Sequence, residues 1–104
     1  MLDEISHAIA DVYRGHFDIE RTGVSSYMID DVLICVLENV GDISEQTADR
    51  SLGQRRAFQH DHEDEFSEAV ERLSGRHVRT FLSANHVAQG IAAEVFFLSP
   101  TADG

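Results

Sequence analysis

Apolar residues along the chain fall into two rhythms. Leu2, Ile5, Ala8, Ile9, Val12 and Tyr13 recur every three or four positions, which predicts an amphipathic helix from about residue 3 to residue 15, closed at Gly15. Residues 16–23 are mostly polar and read as a loop. Residues 24–29 and 32–38 follow as two strands, with Asp30-Asp31 between them at the length of a two-residue hairpin turn. Asp42-Ile43-Ser44-Glu45 fits a capping box, in which Asp42 caps a helix and Glu45 reaches back. Ala48, Leu52, Phe58, Phe66, Ala69, Val70 and Leu73 then mark a long helical region that ends near Ser74-Gly75, with Gly53 a candidate break within it. Residues 77–83 and 91–98 read as a second strand pair joined by a loop over 84–90, and Pro100 stops the last strand.

The resulting order, αββαββ, contains an internal echo. Ile5, Ser6, Ala8, Ile9 and Val12 match Phe66, Ser67, Ala69, Val70 and Leu73, and Val32, Ile34 and Val36 match Ile91, Ala93 and Val95. The second strand is apolar on both faces, and so is the fourth, with Glu94 as its exception. Such strands belong in the middle of a sheet covered on both sides. The first and third strands, with Ser25, Ser26, Arg79 and Thr80, suit the edges. This predicts an α+β fold: a four-stranded sheet of order 1-2-4-3, a permuted ferredoxin-like arrangement, with two helices on one face. Residues 1–98 read as one domain and 99–104 as a short tail. Two helices cover one face only, so a second copy of the chain is expected on the other.

Charge changes the picture. The chain carries 19 acidic residues against eight basic ones, a formal net charge of −11, and every one of the eight is Arg; there is no Lys. Excess charge of one sign opposes the compact state, and at about 1 M salt, where the Debye length is ~3 Å, that opposition is screened. The composition is that of a halophilic protein. Its melting temperature is expected to climb as KCl is raised from roughly 0.1 to 3 M; a flat or falling Tm in a thermal-melt series contradicts the halophilic reading. The acid surplus also argues against nucleic acid as a partner, since no basic stripe with interleaved aromatics exists. Asp3, Glu4 and Asp11 at the N-terminus oppose a basic signal-peptide start, and no apolar run approaches the ~20 residues of a membrane span, so a cytoplasmic protein without membrane insertion is expected.

Candidate chemistry is sparse. Cys35, the single cysteine, sits in the apolar run 32–37 and reads as a buried thiol; no intramolecular disulfide or cysteine zinc site can form. His60-Asp61-His62-Glu63-Asp64-Glu65 places His60 and Asp64 on one helix face. His60 and His62, however, point about 200° apart, so the cluster reads as a solvated face and no metal ligand is assigned. Gln54-Arg55-Arg56 is the one local basic cluster, able to hold an anion or an acidic partner through Arg55 and Arg56. Phosphate loops, nucleophile elbows and dinucleotide fingerprints are absent, and no nucleophile–base pair is recognisable, so neither a catalytic residue nor a cofactor is expected.

Several segments in order resemble the MpsC-like family, named for a component of a sodium-translocating, membrane-potential-generating system. They are Tyr27-Met28-Ile29-Asp30-Asp31-Val32, Arg56-Ala57-Phe58-Gln59, Glu65-Phe66 to Arg76-His77-Val78, and Ala93-Glu94-Val95-Phe96-Phe97-Leu98. The similarity runs from about Ile5 to Leu98. It departs where that family usually carries a Gly-Pro-containing turn before its first strand, a place taken here by Asp18-Ile19-Glu20-Arg21-Thr22. The resemblance implies association with a membrane ion or inorganic-carbon transport system; it implies no established catalytic activity and carries over no active site. The function expected from all of this is a non-enzymatic cytoplasmic accessory or regulatory homodimer. The alternative is a small-ligand-binding dimer with a pocket between helices and sheet, contacted by Tyr27, His86 or Arg55.

Overall fold

The computed structural model describes residues 1–41 and 48–100. Its elements are α1 (Leu2–Tyr13), β1 (Gly23–Ile29), β2 (Val32–Glu38), α2 (Ala48–Asp61), α3 (Glu63–Ser74), β3 (Val78–His86) and β4 (Ile91–Leu98), with a single 3-10 turn, Val87–Gln89, before β4. The four strands form one antiparallel sheet in the order β1-β2-β4-β3. The α+β architecture and the strand order are those the hydrophobic pattern predicts.

The helices number three among the described residues, not two. Gly53 lies within α2 without breaking it; a glycine inside a helix costs about 1 kcal/mol, which neighbouring turns absorb. The break falls at His62, whose φ of −108° and ψ of 13° turn the chain. Glu63, Asp64 and Glu65 then open α3, where carboxylates favour the positive end of the helix dipole. Hydrogen bonds from His62 N–H to Phe58 C=O and from Phe66 N–H to His62 C=O keep the two helices in continuous contact across the bend. β3 also runs further than its sequence suggests, to His86, so the connection to β4 is the 3-10 turn rather than a loop from residue 84. The capping box Asp42–Glu45 and the tail Thr101–Gly104 lie outside the described residues.

Local chemistry sets the remaining turns. Asp30 takes a φ of 53° in the β1–β2 hairpin, where Ile29 pairs with Val32. Gly90 combines a φ of 66° with a tight approach, since a Cβ there would stand 3.3 Å from the Val40 carbonyl oxygen. That closeness lets Val40 N–H donate to Gly90 C=O and ties the end of β2 to the start of β4.

The core fills the space between the helices and one sheet face. Ile5, Ile9 and Tyr13 of α1 and Phe66 and Val70 of α3 pack on Leu33, Cys35 and Leu37 of β2 and on Ala92, Phe96 and Leu98 of β4. Phe17, in the segment expected to be a polar loop, is buried with them. It meets Phe58 edge-on with ring centroids 5.0 Å apart. Cys35 is fully buried as expected, and burial pushes its thiol up to about 11. Alkylation in the native state is therefore expected to run slower than in the unfolded chain by at least about a hundredfold, from the loss of thiolate alone. Equal rates in a timed thiol-labelling assay contradict this burial.

Candidate functional site

Two features rise above an ordinary core: a polar cluster inside it, and the bare face of the sheet.

The polar cluster is built around Glu94. Alternation along β4 turns Ala92, Glu94, Phe96 and Leu98 toward the helices, and all four are buried. A carboxyl group in that place must find donors. Tyr13 of α1 donates its hydroxyl to Glu94 Oε1, Ser83 of β3 donates to Oε2, and Gln59 of α2 donates its Nε2 to Oε1 at 2.8 Å. Gln59 and Asn85 also exchange amide hydrogen bonds of 3.1 and 2.9 Å, which fixes both side chains. Two helices and two strands thus converge on one carboxyl. Burial pushes the Glu94 carboxyl above its ordinary value, while its hydrogen bonds from Ser83, Tyr13 and Gln59 and the charge of Arg55 pull against that rise. Tyr13 is likewise driven well up, first by burial and then by the neighbouring Glu94.

Arg55 belongs to the same layer. Arg55, Phe58 and Gln59 stand at i, i+3 and i+4 on α2, so they share its inward face. Arg55 has no exposed surface, whereas the adjacent Arg56 projects into solvent. The guanidinium lies 5.7 Å from the Phe17 ring centre, and Nη1 donates to the Ile91 carbonyl at 3.1 Å. The basic pair read from the sequence is therefore split between core and surface.

The second feature is the opposite sheet face. Cross-strand register lays out three rows upon it. They are Ser25–Val36–Ala93–Ala84, Tyr27–Ile34–Val95–Leu82 and Ile29–Val32–Phe97–Thr80. None of these twelve residues is charged, in a chain whose net charge is −11. No described helix covers them: Tyr27 and Leu82 are each 53% exposed and Ile29 is 60% exposed. The next positions carry the polar residues Glu38 and His86, and the Asp30-Asp31 turn closes one end.

Tyr27 and His86 thus belong to the bare face, with Arg55 on the far side of the sheet, and these three residues do not meet around one pocket. A cleft of about 390 Å³ does open between α1 and β1, but its walls are Asp3, Ser6, His7, Arg14, Glu20 and neighbours. In the acidic run, His62 Nδ1 lies 2.7 Å from Glu65 Oε1, and no group of three metal-ligating side chains gathers among the described residues. No described helix is long and apolar enough to cross a membrane. No family model, curated protein or solved structure matches this chain.

Proposed function

We propose that the protein is a non-enzymatic accessory or regulatory protein that acts as a homodimer, joined through the bare faces of two sheets. The observation that carries this reading is the twelve-residue uncharged grid on a strongly acidic chain. Four strands ~4.8 Å apart and about five residues of each make an apolar field roughly 20 Å on a side. That is in the ~300–600 Å² range at which an exposed patch marks an interaction site. With a polar rim around it, the field supplies the apolar centre of an interface of ordinary size, about 800 Å² per partner.

Its relief favours a second copy of itself. The row Tyr27–Ile34–Val95–Leu82 is bulkier at its ends than the adjoining row Ser25–Val36–Ala93–Ala84, with Tyr27 beside Ser25 and Leu82 beside Ala84. A twofold rotation brings the ridge of one protomer over the trough of the other, the self-complementarity an isologous contact requires. Two stacked sheets then lie ~10 Å apart, as in a sandwich. Molar salt assists by screening the repulsion between two acidic protomers.

The groups whose proton affinity is raised, Tyr13, Cys35 and Glu94, are interior and committed to packing and to one another, which supports a binding role rather than catalysis. The likeness of several segments to MpsC-like proteins directs the search for a larger partner toward membrane ion or inorganic-carbon transport systems. Light scattering in about 2 M KCl, where screening is nearly complete, is expected to return twice the 11.6 kDa chain mass. A mass of one chain at high micromolar concentration overturns the dimer.

A further inference from the structure

A fully buried guanidinium normally spends all its donors, because each one left idle in the interior costs free energy. Arg55 does not. Its Nη1 is used on the Ile91 carbonyl, yet Nε and Nη2 are buried and have no hydrogen-bond partner among the described residues. These two atoms are not an arbitrary pair. Nε–H and one Nη2–H point the same way and form the side-on fork of the guanidinium, the edge that accepts a carboxylate with two parallel hydrogen bonds.

Glu94 does not fill it. Glu94 is close enough for Arg55 to pull on its charge, but its oxygens already receive Tyr13, Gln59 and Ser83, and no hydrogen bond links the two residues. Nor does the aromatic neighbour, since Phe17 meets the guanidinium through its ring and leaves the donor edge unserved. A permanent cation in the core, flanked by a carboxyl that burial drives toward its neutral form, lacks a full counter-charge.

We propose that the Nε–Nη2 edge of Arg55 is a binding site for one small planar oxyanion of the carboxylate type. It lies where α2 packs on the 3-10 turn ahead of β4. The fork geometry selects the class: two parallel donors take an anion that presents two oxygens side by side, as a carboxylate does, and a spherical halide offers no such pair. The site is independent of the dimer reading, because it sits on the other side of the sheet.

Formate is the simplest probe. Potassium formate replaces KCl stepwise at constant ionic strength, and the side-chain Nε–H resonances of Arg55 and Arg56 are followed by ¹H–¹⁵N NMR. The Arg55 signal, identified by its loss in Arg55→Gln, is expected to move along a saturating curve while exposed Arg56 drifts linearly. In parallel melts the native protein gains a saturable rise in Tm, and Arg55→Gln keeps only the shallow slope common to both proteins. Should Arg55→Gln fail to fold, through-bond assignment of the Arg55 and Arg56 Nε–H signals in the native protein replaces the variant, and the two resonances decide the matter. Parallel linear drifts of Arg55 and Arg56, or the same saturation with perchlorate as with formate, overturn the assignment.

Discussion

Glu94→Ala is expected to destabilise the protein by about 3–5 kcal/mol, because each buried donor left without an acceptor costs about 1–3 kcal/mol and the deleted side chain leaves a cavity. The Tyr13 and Ser83 hydroxyls lose their acceptor at once, and the Gln59 amide loses one of its acceptors while keeping Asn85. The Arg55 guanidinium also loses a carboxyl with which it interacts electrostatically. For a chain of about 100 residues this corresponds to a Tm lowered by roughly 10–30 °C. A loss below about 1 kcal/mol, typical of a surface site, would show that the cluster is not a single network.

The milder Glu94→Gln isolates the charge. Glu94 binds its proton more tightly in the fold than in the unfolded chain, because burial disfavours the carboxylate. Its stabilising contribution is therefore complete below the ordinary value of 4.5 and is lost as pH rises through the folded-state value. The Tm of Glu94→Gln minus that of the native protein is expected to increase with pH above 4.5 and then level off. A difference that falls over the same range would mean that Arg55 and the three donors hold Glu94 ionised.

The second large effect concerns association. Leu82→Glu places a carboxylate on the bare face at a position already 53% exposed, so the single chain tolerates it. Across a twofold interface the change buries two like charges without partners, at a cost of several kcal/mol. The proposed dimer is expected to weaken by at least about a hundredfold in Kd, with helix content and Tm of the single chain nearly unchanged. Val95→Asp, at the centre of the grid, should abolish association outright. If Leu82→Glu associates as the native chain does, the contact lies elsewhere.

Much of this architecture was written in the alternation of the strands. Val32, Ile34 and Val36 set against Leu33, Cys35 and Leu37 put β2 inside the sheet, and the same doubling did so for β4. The strand order followed. Glu94 stood out as the one acid in an otherwise apolar central strand, but its partners could not be read from local pattern. Tyr13, Gln59, Ser83 and Asn85 come from three other elements and meet only when the helices dock. The Arg55-Arg56 pair was visible as a cluster and not as a division. Adjacent helical residues point about 100° apart, and it is the spacing of Arg55 with Phe58 and Gln59 that turns Arg55 inward. Phe17 escaped because a lone aromatic among polar residues carries no period; the bridge between Asp18 and Gly41 draws it into the core. The bend at His62 was likewise obscured by the more obvious Gly53.

The most direct test of the account is which surface touches a second copy. A mixed sample of isotope-labelled and unlabelled protein in molar KCl permits filtered NMR experiments that report contacts between protomers alone. Intermolecular contacts are expected from the methyl groups of Leu82, Val95 and Ile34 to the partner protomer, with the Tyr27 ring among the groups they meet. Contacts arising instead from helix residues such as Glu68 or Arg72, or no intermolecular contacts at all, would contradict it.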